Sequence, residues 1–320
     1  MAEVIDAVRW AYVAASTGHA VLPDRIHLSP PGTKNVTLVM PAFVESSPDG
    51  QFLASLAVKT VSVYPENLQV GLAAILGGVL VLDPATGACL GLVDGASLTA
   101  LRTGGGSAVA SDVLALPDAS TVAIFGSGAQ AATQLQAICS VRTIRTAWIF
   151  SRTPAHAEQM CGKLAGQKGI PDNLKVARTA NEAVAEADII CTATGSLEPL
   201  FDDQDLKPGV HINAIGAYRP DMVEIPATTV ARARIFVDHL ASALHEAGDL
   251  VHPIRLELID ETHIVGEIGS LVAGRIVGRR NDKEITLFKS VGMAAQDAVC
   301  ASLALRNAEL RGLGMEANLS

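Results

Sequence analysis

Residues Gly126-Ser127-Gly128-Ala129-Gln130-Ala131 follow an apolar run, Thr121 to Phe125, and open a segment with helical spacing. A strand, a glycine turn and a helix in that order suit a bound pyrophosphate. Gly126 permits the tight turn, Gly128 lets the backbone approach the phosphates at the helix N-terminus, and Ala131 lets the helix pack close to the strand. About 20 residues further on, a dinucleotide site places the residue that reads the ribose. Here that stretch is Ile149-Phe150-Ser151-Arg152-Thr153, with no Asp or Glu to accept from a 2′-hydroxyl. Arg152 can pair with a 2′-phosphate, and Ser151 and Thr153 can donate to it, so the sequence favours NADP(H) over NAD(H) while leaving room for NAD(H). The alternatives are an ordinary glycine turn and a solvated surface arginine.

Three cations outside this unit sit among apolar residues: Arg25, Lys59 and Arg102. Lys59 lies within Leu56-Ala57-Val58-Lys59-Thr60-Val61-Ser62-Val63, where a charge is costly unless paired. Arg102 interrupts an aliphatic run just before Thr103-Gly104-Gly105-Gly106. Each reads either as a member of a structural ion pair or, taken together beside a dinucleotide fold, as part of a pocket for a small carboxylate that Arg can grip bidentately. The eight histidines form no HExxH and no paired ligand set, so no metal is expected. His211, inside Val210-His211-Ile212-Asn213, reads as a core histidine, and there is no GxSxG.

The elements that must position these residues fall into two patterns. Ile5 to Ala15 has helical spacing, with Val4, Val8, Tyr12 and Ala15 on one face. Short β-rich runs follow at Arg25–Leu28, Val36–Met40, Leu53–Val63, Val79–Leu82 and Cys89–Val93, separated by Pro, Gly and Asp turns. They predict a mostly antiparallel, barrel-like sheet, left through a helix at Ser97–Leu114. From about Asp118 the pattern becomes βα alternation, which implies a parallel sheet covered on both faces. Strands are predicted at Thr121–Phe125, Thr146–Phe150, Lys175–Arg178, Asp188–Ala193, His211–Ile215 and Arg234–Val237, and helices at Ala129–Cys139 and Pro154–Gln167. Asn181 is predicted to cap a helix running to Glu186. Leu287–Arg306 reads as an amphipathic helix, preceded by a short strand, that returns to the first domain.

The chain has 320 residues, enough for about two domains. Its net charge of -9 argues against duplex nucleic acid as a partner, and its 4% aromatic content against single strands. The start lacks the basic and apolar regions of a signal peptide, and the longest apolar stretch, Val70 to Leu82, is 13 residues with three glycines, too short for a bilayer. Five scattered cysteines without a CxxC pair read as reduced core thiols of a cytoplasmic protein.

Segments in order along nearly the whole chain resemble the ornithine cyclodeaminase/mu-crystallin family. They are Pro23-Asp24-Arg25, Met40-Pro41-Ala42, Val58-Lys59-Thr60, Val93-Asp94-Gly95, Leu101-Arg102-Thr103, Gly126 to Ala131, Ser151 to Thr153, Gly209 to Ala217, Glu246 to Asp249 and Phe288 to Met293. The resemblance implies an α/β fold in which a Rossmann domain, residues 108–287, is inserted in a substrate and dimerisation domain formed by 1–107 and 288–320. It implies that Arg25, Lys59 and Arg102 hold a substrate carboxylate, with Lys59 near the reacting nitrogen as the catalytic residue. Tyr218, Glu267 and Ser290 are the further substrate contacts it implies. Its implied cofactor contacts are Arg102, Thr103, the Gly126–Gln130 turn, Ser151–Thr153, Thr192, Ala193, Thr194, Ile215, Gly216 and Val291. Family members begin with a short leader strand, whereas this chain starts at its first helix.

Cyclodeaminases of the family carry an Asp shortly after the glycine of the His211–Gly216 stretch, where this chain has Tyr218. Arg219-Pro220-Asp221 and Phe288-Lys289-Ser290-Val291-Gly292-Met293 resemble the ketimine-reductase branch instead. The expected function is therefore reduction of a small cyclic ketimine carboxylate with a nicotinamide cofactor, in a homodimer without nucleic-acid or membrane partners. Cyclodeamination of ornithine, an alanine-dehydrogenase-like reductive amination and a non-catalytic small-ligand binding protein are the alternatives.

Overall fold

A computed structural model describes residues 1–33, 35–167 and 169–317. Helix α1 (Ala2–Thr17) buries Val8 and Tyr12 and ends at Gly18. Six strands follow: β1 (Ala20–Val21), β2 (Ile26–Leu28), β3 (Val36–Val44), β4 (Ser55–Val63), β5 (Ile75–Leu82) and β6 (Cys89–Asp94). They pair antiparallel in the order β1-β3-β4-β5-β6, with β2 also on β3. Among the described residues the pairing path runs from β1 to β6. Asp94 then caps helix α2 (Gly95–Leu114) by accepting from the Ser97 amide at 2.8 Å.

The second half holds eight parallel strands: β7 (Thr121–Phe125), β8 (Thr146–Phe150), β9 (Leu174–Val176), β10 (Ile189–Thr192), β11 (His211–Ala214), β12 (Arg234–Val237), β13 (Ile264–Glu267) and β14 (Thr286–Lys289). Their order is β13-β12-β14-β11-β10-β7-β8-β9. Helices α3 (Ala129–Val141), α4 (Pro154–Leu164), α5 (Ala180–Ala185), α6 (Ala227–Arg232), α7 (Leu240–Glu246), α8 (Gly248–Arg255) and α9 (Ile268–Val272) accompany them, and α10 (Ala294–Leu310) ends the helical chain. Alternate residues of each strand enter opposite cores: Val122 and Ile124 face one, Ala123 and Phe125 the other. That two-sided burial explains the uninterrupted apolar runs. The chain reverses its direction across the sheet between β7 and β10, so the crevice at their C-terminal ends is the place for a ligand.

Several expectations need correction. Thr286–Lys289 is a strand between β11 and β12, and helix α10 begins only at Ala294. The domain limits expected at 107/108 and 287/288 therefore fall inside α2 and β14. The cap of α5 is Thr179, which accepts from the Glu182 amide, and not Asn181. Cys89 is exposed on the edge strand β6 and is no core thiol, whereas Cys191 and Cys300 are buried. No helix among the described residues is long and apolar enough to cross a membrane.

Three consecutive glycines lie inside α2, against helix propensity. They serve packing: a Cβ at Gly104 would stand 2.7 Å from the Thr133 carbonyl oxygen of α3, and one at Gly105 would stand 3.2 Å from Val4 and Val8 of α1. Because the Gly104 contact is with backbone, Gly104→Ala should lower the melting temperature. Overpacking costs about 1–3 kcal/mol, more than the helix-propensity gain of up to about 1 kcal/mol. A thermal melt checks this, and an unchanged or raised midpoint contradicts it.

Candidate active site

Lys59 lies in the middle of β4, opposite Met40 of β3 and Val79 of β5. Strand alternation puts Lys59, Val61 and Val63 on one face, where they line a cavity of about 660 Å³ between the antiparallel sheet and the C-terminal ends of the parallel strands. Only 2% of Lys59 is exposed. Its Nζ donates to Thr99 Oγ1 at 2.6 Å and to Asp297 Oδ1 at 2.9 Å. Burial pulls the Lys59 pKa down to about 8, against the opposing pull of Asp297.

Arg102 projects from α2 into the same place. Its Nε lies 3.2 Å from Asp297 Oδ1, and its Nη1 donates to Gln296 Oε1. Gly292, at φ 81, makes room for the guanidinium: a Cβ there would lie 2.5 Å from Arg102 Nη1. Arg25 precedes β2 and donates to the Gly292 carbonyl at 2.6 Å and to Glu246 Oε2 at 3.1 Å. Burial raises the Glu246 pKa, and Arg25 opposes that shift. All three expected cations thus line one cavity, and each is also an ion-pair member, so the structural and the ligand-binding readings describe the same residues.

The expected dinucleotide turn sits at the C-terminal end of β7, with Gly126 at φ 111 and the Ala193 carbonyl where a side chain would be. Helix α3 has Gly128 as its cap and no side chain accepting from its first-turn amides. Gln130 lines the cavity with a buried Oε1 that has no partner. Open amides at a 13-residue helix N-terminus and a buried amide oxygen without a partner among the described residues, on a side chain that lines the cavity, fit a dinucleotide. Ser127 Oγ and Ser151 Oγ lie 3.0 Å apart and join this turn to the end of β8. Arg152 and Thr153 are exposed beside them, and Arg152 makes no ion pair with the described residues.

Other expected residues divide. Thr103, Ala193, Thr194, Ile215, Gly216 and Val291 line the cavity, as do Tyr218 and Ser290. Thr192 is fully buried, its hydroxyl donates to Glu224 Oε2 at 2.8 Å, and it does not line the cavity. Glu267 does not line the cavity. It belongs to the edge strand β13, and its carboxylate accepts from Ser16 Oγ and the Leu240 amide. His211 is a core histidine, bonded to Thr286 and Asn213 and held down to about 3 by burial and then by Arg279.

Four acids were given no role by the sequence reading. Asp297 neutralises Lys59 and Arg102. Asp238 Oδ2 accepts from Ser290 Oγ and from the Val291 and Gly292 amides, fixing the segment that carries Gly292. Glu224 accepts from the Thr194, Gly216 and Ala217 amides, and Asp249 in turn accepts from the Glu224 amide and from Lys289 Nζ. Burial, reinforced by Asp249, raises the Glu224 pKa. Asp249 was visible only as the end of the Glu246–Asp249 segment, and Asp297, a lone acid within Ala294-Ala295-Gln296-Asp297-Ala298-Val299-Cys300, reads as the polar face of an amphipathic helix.

The ornithine cyclodeaminase/mu-crystallin family pattern matches residues 1–310. A Delta(1)-pyrroline-2-carboxylate reductase of Bacillus cereus is 38% identical over 315 residues, covering 98% of this chain and 94% of its own. The ketimine reductase mu-crystallin of Mus musculus is 31% identical over 265 residues, covering 83% of this chain and 78% of its own. The structure of Thermococcus litoralis Delta(1)-pyrroline-2-carboxylate reductase in complex with NADH and L-proline superposes with a TM-score of 0.92 at 38% identity, over 99% of this chain and 96% of that one.

Proposed function

The chain belongs to the ornithine cyclodeaminase/mu-crystallin family, and from that premise we propose that it is an NAD(P)H-dependent imine reductase. Its substrate is a small cyclic ketimine carboxylate, Δ1-pyrroline-2-carboxylate or Δ1-piperideine-2-carboxylate, and its product L-proline or L-pipecolate. The observation that carries this reading is the convergence of Arg25, Lys59 and Arg102 on one cavity that also receives Gln130 of the dinucleotide turn. Relatives at 38% identity along nearly the whole chain carry the reductase name. Tyr218 at the cavity wall supports reduction over cyclodeamination, which would have an Asp there.

Arg25, Arg102 and Lys59 bind the carboxylate and fix the ring. When bound, the nicotinamide supplies the hydride that the imine carbon accepts. A protonated nitrogen makes that carbon electrophilic, and Lys59 holds the proton for it, with a bound water as the other source. Gly126 to Gln130 would hold the pyrophosphate of the dinucleotide, and Thr194, Ile215, Gly216 and Val291, which line the cavity, would contact the rest of it. Arg152, Ser151 and Thr153 lie where a 2′-phosphate would be read, which supports NADP(H) as the preferred cofactor. The protein works as a homodimer through the antiparallel sheet, whose Leu28, Leu76, Leu90 and Leu92 are 46–74% exposed.

Three outcomes follow. NADPH oxidation with Δ1-pyrroline-2-carboxylate should be fast in the wild type, and Lys59→Ala should lower kcat and kcat/KM together. No oxidation with any cyclic imine carboxylate contradicts the reading, and a wild-type rate for Lys59→Ala in a single turnover reduces Lys59 to an anchor. Arg152→Ala should raise the KM for NADPH roughly ten- to a hundredfold, the loss of one charge-assisted pair, and leave that for NADH nearly unchanged. Equal effects on both cofactors contradict the 2′-phosphate assignment. Light scattering at micromolar concentration should give the mass of two chains, and a monomer mass contradicts the dimer.

A further inference from the structure

Binding a carboxylate needs the three cations; it does not by itself need Asp297. Yet Asp297 is 1% exposed and touches two of them, Lys59 and Arg102, through the same oxygen. Its other oxygen, Oδ2, is buried and has no partner among the described residues.

Lys59 Nζ as an ammonium has three protons. One goes to Asp297 Oδ1 and one to Thr99 Oγ1. The Thr99 hydroxyl spends its own proton on the Gly95 carbonyl, at 2.6 Å, so toward Lys59 it can only accept. One N–H of Lys59 is left for the cavity that its side chain lines.

We propose that Asp297 is a positioning residue for the reduction: it keeps Lys59 an ammonium, with its one remaining N–H shared between the substrate carboxylate and the adjacent ring nitrogen, and so sets the pH above which the proton donor is lost. The proposal rests on the reductase reading above. The charges around Lys59 support it. From α10 come Asp297 and the thiol of Cys300, which burial pushes up to about 12 and so keeps neutral. Arg102 comes from α2. Arg25, whose partner is Glu246 of α7, approaches from the segment before β2. Tyr12 of α1 is buried and neutral, its pKa raised well above the usual value by burial and then by Asp238. Burial, Arg102 and Arg25 all push the Lys59 proton off, and Asp297 is the acid that holds it on. The balance stands at about 8, so the donor is charged at neutral pH and close enough to neutrality to give its proton up.

The test separates charge from shape. Asp297→Asn keeps an oxygen at the Oδ1 position, removes the negative charge and puts an NH2 in place of Oδ2. Lysine labelled with 13C at Cε, with the Lys59 resonance assigned by its loss in Lys59→Gln, gives the Lys59 titration midpoint without substrate or cofactor. The midpoint should lie near 8 in the wild type and fall by about 1–3 units in Asp297→Asn, the usual effect of losing one adjacent opposite charge. The alkaline limb of kcat/KM should move to lower pH by the same amount, a shift that a merely structural role would not produce. Asp297→Ser is the second neutral variant should the Asn form not fold. An unchanged midpoint in a folded neutral variant overturns the proposal, as does a wild-type midpoint below about 7, which needs no variant. If the titrations behave as expected but no cyclic imine is reduced, the reductase reading fails instead.

Discussion

Two buried cations share one buried carboxylate oxygen, and much of the architecture follows from that. Lys59 comes from the antiparallel sheet, Arg102 from the helix that leaves it, and Asp297 from the last helix, 238 residues beyond Lys59. An unpaired ion in the interior costs several kcal/mol, and breaking a buried pair typically about 3–5 kcal/mol. The chain therefore has to bring α10 back across the first core after completing the parallel sheet. The triad carries a net charge of +1, and a carboxylate ligand completes its neutralisation. A site made this way is a stable part of the fold when empty and still electrostatically open to one anion.

The neighbouring loops are held by a separate set of acids. Asp238, Glu224 and Asp249 accept from backbone amides of the segments that follow β10, β11 and β14. Lys289 balances Asp249, both fully buried. The residue types that line the cleft can then be small or apolar, because the polar work of fixing the loops is done by these acids. This separates the two jobs: cations from the antiparallel side meet the ligand, while buried anions on the parallel side shape its walls.

Much of this was legible in the sequence, for physical reasons. A lysine inside an aliphatic strand and an arginine inside an apolar helix are costly enough to stand out, and both reached the cavity. The Gly126–Ala131 turn was readable because its glycines answer to backbone geometry alone. Asp297 was not, because its local setting resembles the polar face of an ordinary amphipathic helix and its partners lie far away in sequence. Leu287 and Phe288 read as helix because a short apolar run has no period of its own, and only pairing with β11 and β12 makes it a strand. Glu267 followed the resemblance, but its strand lies at the sheet edge, where Ser16 and the Leu240 amide claim it.

The most direct measurement of whether the shared-carboxylate triad receives an anionic substrate is calorimetric binding of a planar product analogue in two forms, pyrrole-2-carboxylate and pyrrole-2-carboxamide. The two match in ring and size and differ in charge. The carboxylate should bind at least about tenfold more tightly than the amide, the least expected from charge-assisted pairs with Arg25, Arg102 and Lys59. Equal affinity for both would contradict the account, leaving the cations as a structural cluster beside the ligand site rather than its anchor.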